Sequence, residues 1–375
     1  MLWLLLSLLL FVPYTVLLLL YRYWWSKQAL LQVPATFQPT TTFSILIPAR
    51  NEEQNISACL RSIQQLNYPT HLFEVIVIDD FSDDATVATA KQFPGVQVFE
   101  LKEILHEKIN SYKKKAIEVG VEKATAHYIV TTDADCIVPA NWLRNFAFMI
   151  QQQPTVFVAA PVAMKEESSA IKLFQSLDFL SLQGITAASV GAGFHSMCNG
   201  ANLCYSKQAF YKVDGFKGVD HIASGDDMLL MHKLYQQYPN EVQYCKAADS
   251  IVLTNPVETV ADFLRQRIRW ASKADQYDDK RIFWVLLLVY LLNVFFIVLF
   301  VAAFFNSSLW ILLAGSLLFK TIVELVFLMP VATFFQKEKL LLWFPLAQPF
   351  HIVYTVAAGW LGKFGSYEWK GRKVK

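Results

Sequence analysis

Apolar residues are spread along this chain in two ways. At the ends they form unbroken runs: no Asp, Glu, Lys or Arg occurs from Met1 to Tyr21, from Ile282 to Phe319 or from Leu340 to Gly362. Between about Arg22 and Arg281, short apolar stretches alternate with charged segments. Crossing a bilayer in a helix takes about 20 apolar residues, and Leu2–Leu20 predicts such an anchor. A cleaved signal peptide carries its positive residues ahead of the apolar run; here Arg22 and Lys27 follow it, which predicts a retained anchor with a cytoplasmic following segment.

At the other end, Asn306-Ser307-Ser308 offers a turn between two predicted helices, Phe283–Phe305 and Leu309–Met329, the second ended by Pro330. Lys320 and Glu324 lie four residues apart inside it and can pair on one face, either at a polar point on a lipid path or as a pair buried between helices. The third run, Leu340–Gly362, contains Pro345 and Pro349. A full crossing would carry the basic tail (Lys363, Lys370, Arg372, Lys373, Lys375) to the outside, so a broken, re-entrant segment is expected.

In the middle, Val- and Ile-rich runs alternate with helical patterns, which predicts βαβ units around a largely parallel sheet. Strands are expected at Phe43–Pro48, Phe73–Asp80, Val96–Leu101 and His127–Asp135, with helices near Glu52–Leu66, Asp83–Phe93 and Ser111–Lys123. Two strands end in acid, at Asp79-Asp80 and Asp133-x-Asp135. In such sheets ligands bind beyond the carboxyl ends of the strands. Hard oxygen ligands there suit Mg²⁺ or Mn²⁺ shared with a substrate phosphate. Neither a GxGxxG nor a Walker lysine loop is present, which counts against dinucleotide and P-loop chemistry.

Composition sharpens this picture. With 54% hydrophobic and 17% charged residues, the 375-residue chain is too apolar for a purely soluble enzyme. A net charge of +2 provides no field for nucleic acid, and the membrane is the expected partner. Cys59, Cys136, Cys198, Cys204 and Cys245 form neither a CxxC pair nor a zinc spacing, so reduced thiols are expected.

The order of motifs resembles that of the membrane-bound family-2 glycosyltransferases with the GT-A nucleotide-diphospho-sugar transferase fold, a mixed, mostly parallel sheet with helices on both faces. SILIPARNEE (Ser44–Glu53) resembles their opening strand and loop, and VIVIDDFSDD (Val75–Asp84) their next strand. The resemblance implies that Pro48, Arg50, Glu52, Asp79 and Asp80 face the nucleotide. YKKKAIEVG (Tyr112–Gly120) is similar to their lysine segment, with Lys113 or Lys114 at the lysine position. TTDADC (Thr131–Cys136) matches the DxD, implying Asp135 on the metal and Asp133 on metal or ribose. CNGANLCYSKQAF (Cys198–Phe210) resembles an acceptor-side segment; His195, just before it, is expected to be a satisfied loop histidine, with a place in the acceptor site as the alternative. SGDDMLL (Ser224–Leu230) matches the base motif, with Asp227 as base and Asp226 where Glu is commoner; a helix-capping role for these acids is the alternative. RQRIRW (Arg265–Trp270) fits Q-x-x-R-W, which implies that Gln266, Arg269 and Trp270 reach donor or acceptor. On a helix near Glu258–Ala274 these three fall on one face, and the plain alternative is an amphipathic helix at the membrane surface. The tail YEWKGRKVK (Tyr367–Lys375) is similar to the W-x-G-R ending of ceramide, hopanoid and carotenoid glucosyltransferases, implying Trp369 and Arg372 near the donor phosphates; a lipid-binding basic tail is the alternative.

The expected organisation is an anchor at 1–21, a cytoplasmic transferase domain at 22–280 ending in an interfacial helix, membrane or re-entrant helices at 281–362 and a basic tail at 363–375. The implied activity is inverting, metal-dependent transfer of a sugar from a nucleotide sugar, UDP-linked by expectation, to a membrane lipid acceptor. Set against it are a processive polysaccharide synthase, a non-catalytic binding protein on a degenerate transferase fold and a nucleotidyltransferase. The second predicts eroded acids; the third leaves Asp227 and the Q-x-x-R-W helix unexplained.

Overall fold

The computed structural model describes the chain except residues 106–110, 166, 195–196, 221, 223–224, 273–278, 366, 370–371 and 375, with backbone alone at 367–369 and 372–374. Its helices of twelve residues or more are α1 (Leu2–Lys27), α2 (Tyr112–Lys123), α3 (Ala170–Gly191), α4 (Asp226–Gln237), α5 (Val260–Ala271), α6 (Lys280–Ala303), α7 (Leu309–Phe335) and α8 (Phe344–Phe364). The chain divides into two compact units: residues 28–165 with 189–255, and residues 1–27 with 166–188 and 256–375.

The first unit is built on strands β1 (Phe43–Ala49), β2 (Phe73–Asp79), β3 (Val96–Glu100), β4 (Tyr128–Thr131), β5 (Phe157–Ala159), β6 (Val162–Met164), β7 (Leu203–Ser206), β8 (Val242–Tyr244) and β9 (Val252–Thr254). Seven of them form one sheet in the order β3-β2-β1-β4-β7-β5-β8, parallel except where β7 runs antiparallel to β4 and β5. β1 is almost entirely buried, as a central parallel strand covered on both faces must be. Pairing Phe43 with both Phe73 and Tyr128 brings the carboxyl ends of β1, β2 and β4 to one edge, where the acids lie. β2 and β4 end earlier than expected, so Asp80 and Asp133–Asp135 belong to the loops beyond the sheet. All five cysteines are free and buried, and burial pushes the Cys245 thiol up to about 12.

Among the described residues, the second unit holds four helices long and apolar enough to cross a membrane: α1, α6, α7 and the stretch Glu338–Phe364. α1 and α7 run side by side in the same direction, with ring contacts Phe11–Phe319, Tyr21–Phe327 and Trp25–Phe334. α6 returns on α7 as a hairpin, closed by Trp310 against Phe300 and Phe304. Lys320 and Glu324 do pair, at 2.6 Å, in a buried network in which Gln348 bonds both and the Tyr14 hydroxyl donates to Glu324.

Two proline expectations are corrected. Pro330 does not end α7, which continues to Phe335 because Val331, Ala332 and Phe335 all bury apolar surface there. Gln336, in the left-handed conformation, closes it. Pro345 and Pro349 do not break α8 either: Pro345 sits in the first turn, where its missing N–H has no intrahelical partner to lose.

α2 lies on β1 and β2 with little room. A Cβ at Gly120 would meet Ile78 Cδ1 at 2.8 Å and Leu46 Cδ1 at 3.0 Å. Overpacking of this kind costs about 1–3 kcal/mol, so Gly120→Val should lower the thermal transition of the protein by several degrees. An unchanged transition would show that α2 is not seated as described.

Candidate active site

The loops after β1 and β2 are stitched together by reciprocal backbone bonds. Asn51 N–H donates to Ser82 Oγ, Glu52 N–H to Thr86 Oγ1 and Glu53 N–H to Asp84 Oδ2, while Asp83 and Ala85 amides donate to Asn51 Oδ1 and Glu53 Oε2. Burial works against the charge on Asp84, but bonds from Thr86 and the Glu53 amide outweigh it and hold the carboxyl below its usual range. Asn51, at φ 51°, and Phe81, at φ 56°, are left-handed without being glycine, strain the stitching sustains. Asn51, Glu52, Glu53, Gln54, Asn55 and Asp84 line an open polar cleft at this edge.

Of the residues expected at the nucleotide, Pro48 lies in β1, and Arg50 braces the next loop by donating from Nη1 to the carbonyls of Asp80 (2.7 Å) and Phe81 (3.1 Å). The Glu52 carboxylate accepts from Asn55 Nδ2. Asp79 and Asp80 are buried; Asp79 Oδ2 accepts the Ser82 amide, and its Oδ1 is a buried acceptor with no hydrogen-bond partner among the described residues.

Lys113 separates the two candidate lysines in role. Its Nζ lies 2.7 Å from Asp133 Oδ1 and 3.7 Å from Asp226 Oδ2. Burial pulls its pKa down, and the charges of Asp133, Asp226 and Asp227 more than offset that and raise it. Lys114 is buried, with its ammonium donating to the carbonyls of Val219 and Ile222 at 2.6 Å each. Ser111 adds a bond to the Asp220 carbonyl, so the first turn of α2 holds the segment leading to the Asp-Asp pair.

That pair opens α4. Gly225 caps the helix at φ 82°, a conformation that favours glycine and turns both acids into the first helical turn. Asp227 Oδ2 accepts the Gly200 amide at 3.0 Å, and Oδ1 accepts the Met228 amide at 2.8 Å. The Gly200 carbonyl in turn accepts the Thr131 hydroxyl at the end of β4. A Cβ at Gly200 would lie 3.3 Å from Asp226 Oδ2 and 3.4 Å from Lys113 Nζ. Gly200 is thus the crossing point between the DxD strand and Asp227, a role that its Gly-Ala-Asn context did not reveal. Asp135 Oδ1 lies 3.5 Å from the Cys136 thiol.

The donor chemistry at the β4 turn fits a hard divalent cation: two carboxylates, both partly exposed, beside a half-buried ammonium that already answers to negative charge. Among the described residues no group of three or more His, Cys, Asp or Glu is assembled for a metal, so these residues suit an ion that takes its remaining ligands from substrate.

Gln266, Arg269 and Trp270 lie in α5, in the unit that holds the apolar helices. α5 is capped by Thr259, whose hydroxyl accepts the Asp262 amide. His195 and Ser224 fall outside the described residues, as do the side chains of Trp369 and Arg372. The sequence reading missed α3 altogether; its lone acid, Asp178, inside the apolar stretch LFQSLDFLSL was the available signal.

Comparison with known proteins agrees with this architecture. Residues 44–213 match the model of glycosyl transferase family 2. A poly-beta-1,6-N-acetyl-D-glucosamine synthase of Staphylococcus epidermidis is 26% identical over 249 residues, 65% of this chain and 57% of that protein. Glycosyltransferase AglE of Haloferax volcanii is 32% identical over 102 residues, 27% of this chain and 33% of its own. The matched stretch is therefore little more than half of the first relative's length and a third of the second's. The mannosyltransferase PcManGT from Pyrobaculum calidifontis, solved with GDP-Man and Mn²⁺, superposes with a TM-score of 0.61 at 19% identity over 93% of this chain and 98% of its own, a likeness of fold. The chain carries a family-2 glycosyltransferase domain of GT-A fold.

Proposed function

We propose that this protein transfers a sugar, with inversion, from a nucleotide sugar to a membrane-embedded lipid acceptor at the cytoplasmic face. One observation carries the acceptor reading: the helix bearing Gln266, Arg269 and Trp270 is built into the unit of apolar helices, where α8 packs along it. An acceptor that meets this motif meets it beside the bilayer.

In the transfer, Asp227 takes the proton of the acceptor hydroxyl as that oxygen attacks the anomeric carbon, and the bond from that carbon to the diphosphate breaks. Two amide donors, from Gly200 and Met228, fix the direction of its carboxylate. Asp226 keeps Lys113 close to this acid. Asp133 and Asp135 would hold Mg²⁺ or Mn²⁺, which when bound supplies Lewis-acid stabilisation of the leaving diphosphate. Arg269 pairs with diphosphate oxygens, and Trp270 offers a flat wall to sugar or acceptor. The likeness of the tail to a W-x-G-R ending supports Arg372 as a further phosphate contact. UDP is the proposed nucleotide.

Topology is part of the same reading. α5 carries Asp262, Arg265, Arg267 and Arg269 within twelve residues and cannot cross a membrane. α8 runs beside it in the same direction: Phe263 meets Tyr354, and a Cβ on Gly362 would sit 2.8 Å from that of Ala271. At its other end, Lys337 pairs with Glu167 and reaches Ser176. We therefore place α1, α6 and α7 across the membrane and α8 in re-entry on the cytoplasmic side. A cysteine placed after Lys375 should be labelled by an impermeant maleimide only from the side that exposes the transferase domain; labelling from the opposite side would mean that α8 crosses.

The similarity to a polysaccharide synthase supports a second reading, processive polymerisation on the same site. Membranes containing the protein are to be incubated with radiolabelled UDP- and GDP-sugars and then extracted. Label in the lipid phase is expected; label in insoluble polymer selects the second reading, and label in neither defeats both.

Asp227→Asn should reduce transfer by about 10²-fold or more while UDP binding with Mn²⁺ stays near wild type, because the variant loses the base and keeps the nucleotide site. Asp135→Ala should instead weaken UDP binding. Wild-type turnover in excess EDTA would remove the metal from the mechanism.

A further inference from the structure

Between Gln266 and Trp270 lies a residue that the motif leaves open. Arg267 is 4% exposed, with its guanidinium carbon 4.5 Å from the centre of the Phe263 ring and 4.2 Å from that of Trp270. Its Nε donates to Asp178 Oδ2 at 2.8 Å, and Nη2 lies 2.5 Å from the same oxygen. Nη1 donates to Gln266 Oε1 at 2.6 Å. The other oxygen of Asp178 accepts the Tyr354 hydroxyl of α8. One turn earlier on α3, Gln175 exchanges two bonds with the backbone of Val257, just before α5 begins. Phe174, Phe263, Phe350 and Tyr354 enclose the group in apolar surface.

We propose that Arg267 is a positioning residue for transfer, one that sets both Gln266 and Trp270 from below; the proposal rests on the reading that these two meet donor or acceptor. The chemistry is specific. A cationic donor fixes the amide oxygen of Gln266 inward, which leaves its NH₂ as the end that can donate to a diphosphate or sugar oxygen. The planar guanidinium lies against the Trp270 ring, fixing the plane that a sugar would contact. Lysine could keep the charge but could not make the fork and the stack together. Asp178 holds Arg267 in place, and Tyr354 links the arrangement to α8, so the motif helix and the re-entrant helix are set by one buried ion pair.

The test is a double-mutant cycle on the full-length protein in nanodiscs, with the nucleotide sugar that supports turnover. Arg267→Lys and Gln266→Ala are each expected to lower kcat/KM by about 10-fold or more, and the double variant to be no worse than the poorer single. Arg267→Lys with Trp270→Phe should behave likewise, and Mn²⁺-dependent UDP binding should survive in every variant. Losses that multiply, or wild-type turnover by Arg267→Lys, would overturn the proposal, since a merely structural arginine acts independently of its neighbours. Should Arg267→Lys not fold, Tyr354→Phe, which removes one bond to Asp178, goes through the same cycle with the same criterion. A wild-type protein that turns over no nucleotide sugar instead overturns the functional reading beneath it.

Discussion

Negative charge gathered at one edge of the sheet is the constraint on which the transferase domain depends. Asp133, Asp226 and Asp227 all act on the ammonium of Lys113, and carboxylates so close repel one another unless a cation stands among them. Lys113 can stand there because the first turn of α2 is itself pinned, through Ser111 and Lys114, to the segment before Gly225. Gly200 completes the arrangement from the other side, taking Asp227 on its amide and Thr131 on its carbonyl. The site is therefore held by backbone groups as much as by side chains.

The same rule, charge only where charge is answered, governs the apolar unit. Lys320 and Glu324 would each be prohibitive alone at the middle of a span; with Gln348 and Tyr14 they close a network whose polar ends face one another. Arg267 and Asp178 do likewise beneath the motif helix. Breaking a buried pair from one side costs about 3–5 kcal/mol, whereas replacing both partners by apolar groups is often harmless, so such pairs are poor evidence for stability as such. What they fix is geometry: each accepts one arrangement of the helices that carry its members. That explains why an apolar bundle, whose side chains would tolerate sliding, can hold a motif helix in register.

Much of this was legible in the sequence, for identifiable reasons. β1, β2 and β4 were readable because strands inside the sheet are runs rich in Val and Ile, bounded by acids or turns. The DxD, the Asp-Asp pair and Q-x-x-R-W were readable because few residues serve those chemistries. β5, β7 and β8 are only three or four residues long, too short for periodicity to speak, and their pairing is non-local. Lys114 could not be told from Lys113 because adjacent helical residues point about 100° apart, and only the packing of the next loop decides which side is the site. The prolines misled for a related reason: a proline ends a helix only where no apolar face rewards its continuing, and Val331 to Phe335 supply that face.

Tyr354 shows how the two kinds of constraint meet. Its ring belongs to the aromatic cluster with Phe174, Phe263 and Phe350, so hydrophobic burial places it; its hydroxyl donates to Asp178. Burial fixes the position of α8 to within a side-chain contact, and the hydrogen bond selects its rotation. Since Asp178 also holds Arg267, rotation of α8 and the setting of Gln266 and Trp270 are not independent. The Asp133 and Asp227 carboxylates are held by Lys113 and Gly200 in the other unit and do not depend on that pair. Different interactions thus maintain the two units, the acid site in one and the motif helix in the other.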